Sequence, residues 1–289
     1  VNGMLQLNNL NALGNATLNL VTVAANPVSF ASAVNTVPFN LGALTGTSSQ
    51  ALSDTTGNAV ILSVGANNAS TTYSGPLTGS GGLTKVGTGT LTLAGTNTYI
   101  GATTISSGTL ALAAGALLAN SSAITLTSGS TFDVSSNVFT LAGGQSLLGS
   151  GTVNGSVAAA SGANVYAGLD AVYGTNTFTT NLTFSSGANV YMDLGTTYNG
   201  ANDLIVVGGN LTLNNTVFHL KAPDTSVNLD QTADYILMAA AGTITGSPAA
   251  TPTWDVPPLN ANHYSIGKSG NNIVLHYNST LLPSGYGSV

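Results

Sequence analysis

The chain has 289 residues, 43% of them hydrophobic and only 4% charged: nine Asp, no Glu, three Lys and no Arg, for a net charge of −6. This composition excludes nucleic acid as a partner, because neutralising phosphates needs several cations on one face. It also excludes disulfides and thiolate metal sites, since there is no Cys, and no apolar run approaches the roughly 20 residues of a membrane-spanning helix.

The first segment, "VNGMLQLNNLNALGNATLNL" (Val1 to Leu20), alternates Leu with polar residues as a half-buried strand does. It carries no charge to guard an exposed strand edge. From Gly89 onward, glycines at 89, 95, 101, 108 and 115 separate short alternating pieces: "TLTL" (Thr90 to Leu93), "TTI" (Thr103 to Ile105) and "TLAL" (Thr109 to Leu112). Strands this short and evenly spaced suit a chain coiled into stacked rungs better than an α/β fold or a sandwich. Two internal echoes support stacking. "SGTLALAAGALLANSSAITL" (Ser107 to Leu126) resembles the N-terminal segment, and "SGANVY" occurs at Ser161 to Tyr166 and again at Ser186 to Tyr191. From about Thr196 the texture changes, with all three His, the single Trp and two of the three Lys beyond that point. The expected organisation is therefore a β-helix over residues 1–195, with its core repeat at 79–112, and a C-terminal β-rich cap over 196–289. That cap includes a hairpin turning over Gly267 to Asn271.

The stretch "GGLTKVGTGTLTLAGTNTYIGATTISSGTLAL" (Gly81 to Leu112) resembles the passenger-associated transport repeat, also called the autotransporter-associated β-strand repeat, down to the Lys85 and Tyr99 that its pattern favours. The resemblance implies an all-β, right-handed parallel β-helix, secreted to the bacterial cell surface; it does not imply a catalytic site. Val1 enters in mid-repeat, which sets the expectation that upstream sequence is removed.

Candidate sites are few. A polysaccharide lyase needs a base and charge-neutralising cations, and a glycosidase two spaced carboxylates. With no Glu, no Arg and three scattered Lys, no enzyme, catalytic residue or cofactor is expected. Asp224, Asp230 and Asp234 fall within eleven residues and are weak calcium candidates, lacking the Gly turn and closing Glu of a calcium loop. Asp193 and Asp203 flank a turn and could share a cation, although Asp more often caps its own turn. His219, His263 and His276 match no helical metal spacing.

What remains is architecture. The unguarded first rung predicts contact with another chain, through Val1, Leu5, Leu7 and Leu10 at one end and Tyr286 and Val289 at the other. Such a contact between unlike ends does not close, and it generates a homopolymeric fibre. The alternative expectation is an adhesin segment that binds surface glycan or a neighbouring cell.

Overall fold

The structure, a computed structural model, describes residues 5–21, 26–31 and 37–279. Val1, Tyr286 and Val289 of the expected assembly surface lie outside the described residues. The chain divides into two compact units, residues 1–139 with 145–147 and 151–155, and residues 140–144, 148–150 and 156–289. Both are β-helical, and the only helix among the described residues is a 3₁₀ turn at Ala261–His263.

From Ile61 onward the short strands of the first unit pair in parallel with partners 19 to 22 residues away. Thr71–Tyr73, Thr90–Leu93, Thr109–Leu112, Thr131–Asp133 and Thr152–Asn154 form one face. Ile61–Val64, Gly82–Lys85, Thr103–Ile105 and Ala123–Leu126 form another. The period-2 alternation decides which side chains enter the core. In "TLTL", Leu91 and Leu93 are buried while Thr90 and Thr92 are half-buried. Stacking then makes columns of like residues, Leu91 beside Leu110, Leu110 beside Phe132, and Phe132 beside Val153. Burying each such side chain contributes about 1.5–3 kcal/mol, so a core of these columns requires no ion pairs.

The second unit repeats the plan with longer rungs. Asn164–Tyr166 stacks in register on Asn189–Asp193, and that strand stacks on the last five residues of Leu211–Lys221. The sequence echo "SGANVY" therefore spans one rung: Asn164 lies beside Asn189, Val165 beside Val190 and Tyr166 beside Tyr191. A second face runs through Val157–Ala159, Leu182–Phe184, the start of Leu211–Lys221 and Ile244–Pro248. A third runs through Thr175–Phe178, Leu204–Val207 and Tyr235–Ala240. Parallel pairing thus continues past Thr196 as far as Thr253–Val256. Antiparallel order then enters with Tyr264–Ser269 and Asn272–Tyr277, which form a hairpin, the latter strand also pairing with Tyr235–Ala240. The turn is tighter than the expected five residues: only Gly270 and Asn271 separate the strands, and Gly270 sits at φ 57°.

Candidate functional site

Two places hold the chemistry that this chain possesses. The first is inside the core of the first unit. Lys85 follows the inward alternation of its strand, between Val64 and Ile105 in the same column, and is 0% exposed. Its ammonium donates to the carbonyls of Val86 (2.6 Å), Gly87 (2.9 Å) and Ser107 (3.3 Å), which satisfies all three donors. Burial pulls the group down to about 8. Gly65 makes the room. A Cβ there would stand 2.0 Å from the Val86 oxygen and 3.2 Å from Nζ, and its φ of 119° is in any case one that side chains avoid.

Nearby, the buried Tyr99 hydroxyl lies 2.6 Å from Thr103 Oγ1, which lies 2.9 Å from Ser121 Oγ, and that hydroxyl donates to the Gly101 carbonyl. Asn97 accepts from Leu77 N and donates to the Gly95 and Leu117 carbonyls, tying residues some 20 positions apart on either side. Every group here is spent on backbone or on a neighbour. The cluster holds rungs together and presents nothing to a ligand.

The second place is a groove on the outside of the second unit, lined by Tyr166, Gly168, Asp170, Tyr191, Asp193, Asp203, His219, Lys221 and Asp255, among others. It gathers five of the chain's twelve charged residues. Register explains the assembly. Tyr191 pairs with Tyr166 on one side and with His219 on the other, so the three outward-facing rings form a ladder. Their centroids are 4.4 Å apart at both steps, with planes 11° and 17° from parallel. Two residues further along the strands, Asp193 pairs with Lys221.

Gly168 adds no side chain to the groove. A Cβ there would meet Val172 O at 2.4 Å and Asp203 Oδ1 at 2.7 Å, so glycine keeps the floor open. The adjoining turn places Ala171 at φ 59°, and its N–H donates to Asp193 Oδ2 at 2.7 Å. Asp203, 3% exposed, accepts from the N–H of Asp193 (2.8 Å) and of Gly174 (2.7 Å). Lys221 pairs with Asp170 at 2.5 Å and His219 with Asp255 at 3.2 Å. Burial is the largest influence on both inner carboxyls. It raises Asp193 above the usual range and, with the neighbouring Asp193 charge adding to it, pushes Asp203 up to about 6.

Asp193 and Asp203 do sit together, as their flanking of one turn suggested. The ladder and its charged neighbours were not anticipated. The other candidates stay apart. Asp224 caps the turn at Ser226, Asp230 caps the turn at Thr232, and Asp234 pairs with His276. No group of three metal-ligating side chains occurs among the described residues. His263 stacks on Tyr277, apart from the ladder position of His219. At the N-terminal end Leu5 is 44% exposed and Leu10 half-buried. Leu7 differs from expectation: at 4% exposed it packs into its own unit and offers no outer surface, although Leu5, two residues before it on the same strand, is exposed.

Residues 83–112, which contain Lys85, Asn97 and Tyr99, match the passenger-associated-transport-repeat family. The chain carries a passenger-associated-transport repeat. The match covers 30 of the 289 residues, and within it Lys85 and Tyr99 are both fully buried. No curated protein matches the chain. No helix among the described residues is long and apolar enough to cross a membrane.

Proposed function

We infer that the protein is a non-enzymatic structural β-helix of the bacterial cell surface, whose first rung is extended by a second copy of the chain to give a head-to-tail fibre. The observation behind this reading is an uncharged strand edge in the N-terminal part of the first unit. Leu13–Leu20 pairs only with Phe39–Gly46, and Leu5–Leu7 only with Val28–Phe30, among the described residues. Leu5 and Val21 are exposed beside these edges, and no charged residue occurs before Asp54. Soluble proteins guard such edges with charge, Pro or a covering element. The other surface of a head-to-tail contact would come from the last strands of the chain. The hairpin Tyr264–Tyr277 folds back in antiparallel, and Lys268 donates its ammonium to the Ile244 carbonyl at 2.9 Å.

The test is negative-stain electron microscopy of the purified protein near neutral pH, beside a variant lacking residues 1–10 and one carrying Val21→Lys. Filaments from the parent that are lost in both variants support the reading. Dispersed particles from the parent, or filaments of normal length from both variants, overturn it.

A second reading, an adhesin segment, is favoured by the groove. A chain with so few charges places five of them around one half-buried aromatic ladder.

A further inference from the structure

Beside the acidic groove lies a second hollow of about 210 Å³, lined by Ala171, Tyr173, Leu194, Ala222 and Pro223, and sharing Asp193 and Lys221 with it. The two form one surface with an acidic lobe and an apolar lobe. Its charges do not cancel. Four carboxylates, Asp170, Asp193, Asp203 and Asp255, line it against one ammonium, Lys221, which pairs with Asp170 and also attracts Asp193. Burial raises the Asp193 and Asp203 carboxyls, the sign that ionising them there is unfavourable until positive charge arrives.

The aromatic rings narrow the choice of ligand. Tyr191 has both faces covered, by Tyr166 and by His219, so the ladder presents edges and hydroxyls rather than a flat platform for a sugar. Tyr173, in contrast, is 40% exposed and borders the apolar lobe. A ligand that fits both lobes carries a compact cation at the end of an apolar stem, as Lys and Arg side chains do. A second copy of this chain cannot supply it. The chain has three Lys and no Arg. Lys85 is fully buried, Lys221 belongs to the groove, and Lys268 caps Ile244.

We propose that this two-lobed groove captures Lys or Arg side chains of a basic partner protein, the cation lying against Asp193 and the stem against Tyr173, Leu194 and Pro223. The proposal rests on the adhesin reading and is independent of fibre assembly, which the filament experiment tests alone.

The experiment is isothermal titration of the full chain with pentalysine at low ionic strength, repeated in added salt. The comparison variants are Asp193→Asn, Tyr173→Ser and, as a control that removes the same charge from an exposed turn, Asp224→Asn. Asn at 193 keeps an oxygen for the Ala171 N–H, and Tyr173→Ser alters an exposed ring, so circular dichroism should show both folded. Saturable binding that weakens in salt, falls about tenfold in Asp193→Asn, weakens in Tyr173→Ser and is unchanged in Asp224→Asn supports the proposal. No saturable binding, or equal loss in Asp193→Asn and Asp224→Asn, overturns it. Tighter binding of a glucosamine oligomer than of pentalysine overturns the assignment to a protein and makes the partner an amino-sugar polymer.

Discussion

The Lys85 ammonium reaches the carbonyl of Ser107, twenty-two residues further on, at 3.3 Å, from a column position that its neighbours fill with Val64 and Ile105. A charged residue in a core column is tolerated because its donors meet three carbonyls. The residue has become a crosslink between rungs.

Replacing it tests that role. Lys85→Met keeps the volume and removes the charge, but it takes a donor from three backbone oxygens in a buried place. We expect a loss of about 2 kcal/mol, the cost of unpaired acceptors less the relief of desolvating the cation. Denaturant unfolding, with hydrogen exchange at Thr103–Ile105 to localise the effect, measures it. A variant as stable as the parent would show that the carbonyls need no donor. Gly65→Ala should cost more than Lys85→Met, because its Cβ would stand 2.0 Å from backbone oxygen at a φ of 119°.

The pH dependence of the second unit follows from Asp203. Its carboxyl titrates near 6 in the folded chain against an ordinary 3.8, so between those values the folded state holds more protons than the unfolded one. Stability therefore falls as pH rises through this window, and Asp193, also raised by burial, acts in the same direction. The melting temperature should decline from pH 4 to pH 7. Asp203→Asn should flatten that slope whatever it does to the melting temperature itself. A slope of opposite sign, or one unchanged in the variant, would count against the assignment.

The aromatic ladder predicts an asymmetry between its members. Tyr191 takes part in two stacks and Tyr166 in one, each worth about 0.5–1.5 kcal/mol beyond area burial. Tyr191→Leu should thus destabilise more than Tyr166→Leu, by about one such stack. Hydrogen exchange across Asn189–Asp193 reports it. Equal effects would mean that His219 contributes nothing to the ladder.

Legibility differed between the two sites for a physical reason. Leu91, Leu93, Leu110 and Leu112 enter the core as strict alternation of Leu with Thr or Ala requires, so the rungs of the repeat could be traced from sequence. The burial of Lys85 could not, because nothing in "GLTKVG" says that the turn beyond it and the next rung will together place three carbonyls around an ammonium. In the second unit, Tyr166 and Tyr191 were legible as a pair through their identical flanks at a spacing of 25. His219 and Lys221 were not. The next rung is three residues longer and shares none of that motif, so only the register joins them to the groove.

The placement of the lysines has a consequence for how the chain meets proteases. Lys85, Lys221 and Lys268 all lie within paired strands, Gly82–Lys85, Leu211–Lys221 and Tyr264–Ser269, and there is no Arg anywhere in the chain. Proteases that cut after basic residues must draw several residues of extended backbone into their own cleft, which a strand engaged in a ladder cannot supply without first unfolding. Digestion by that class of enzyme becomes a measure of rung opening, and its rate should track the stability of each unit rather than the exposure of any loop.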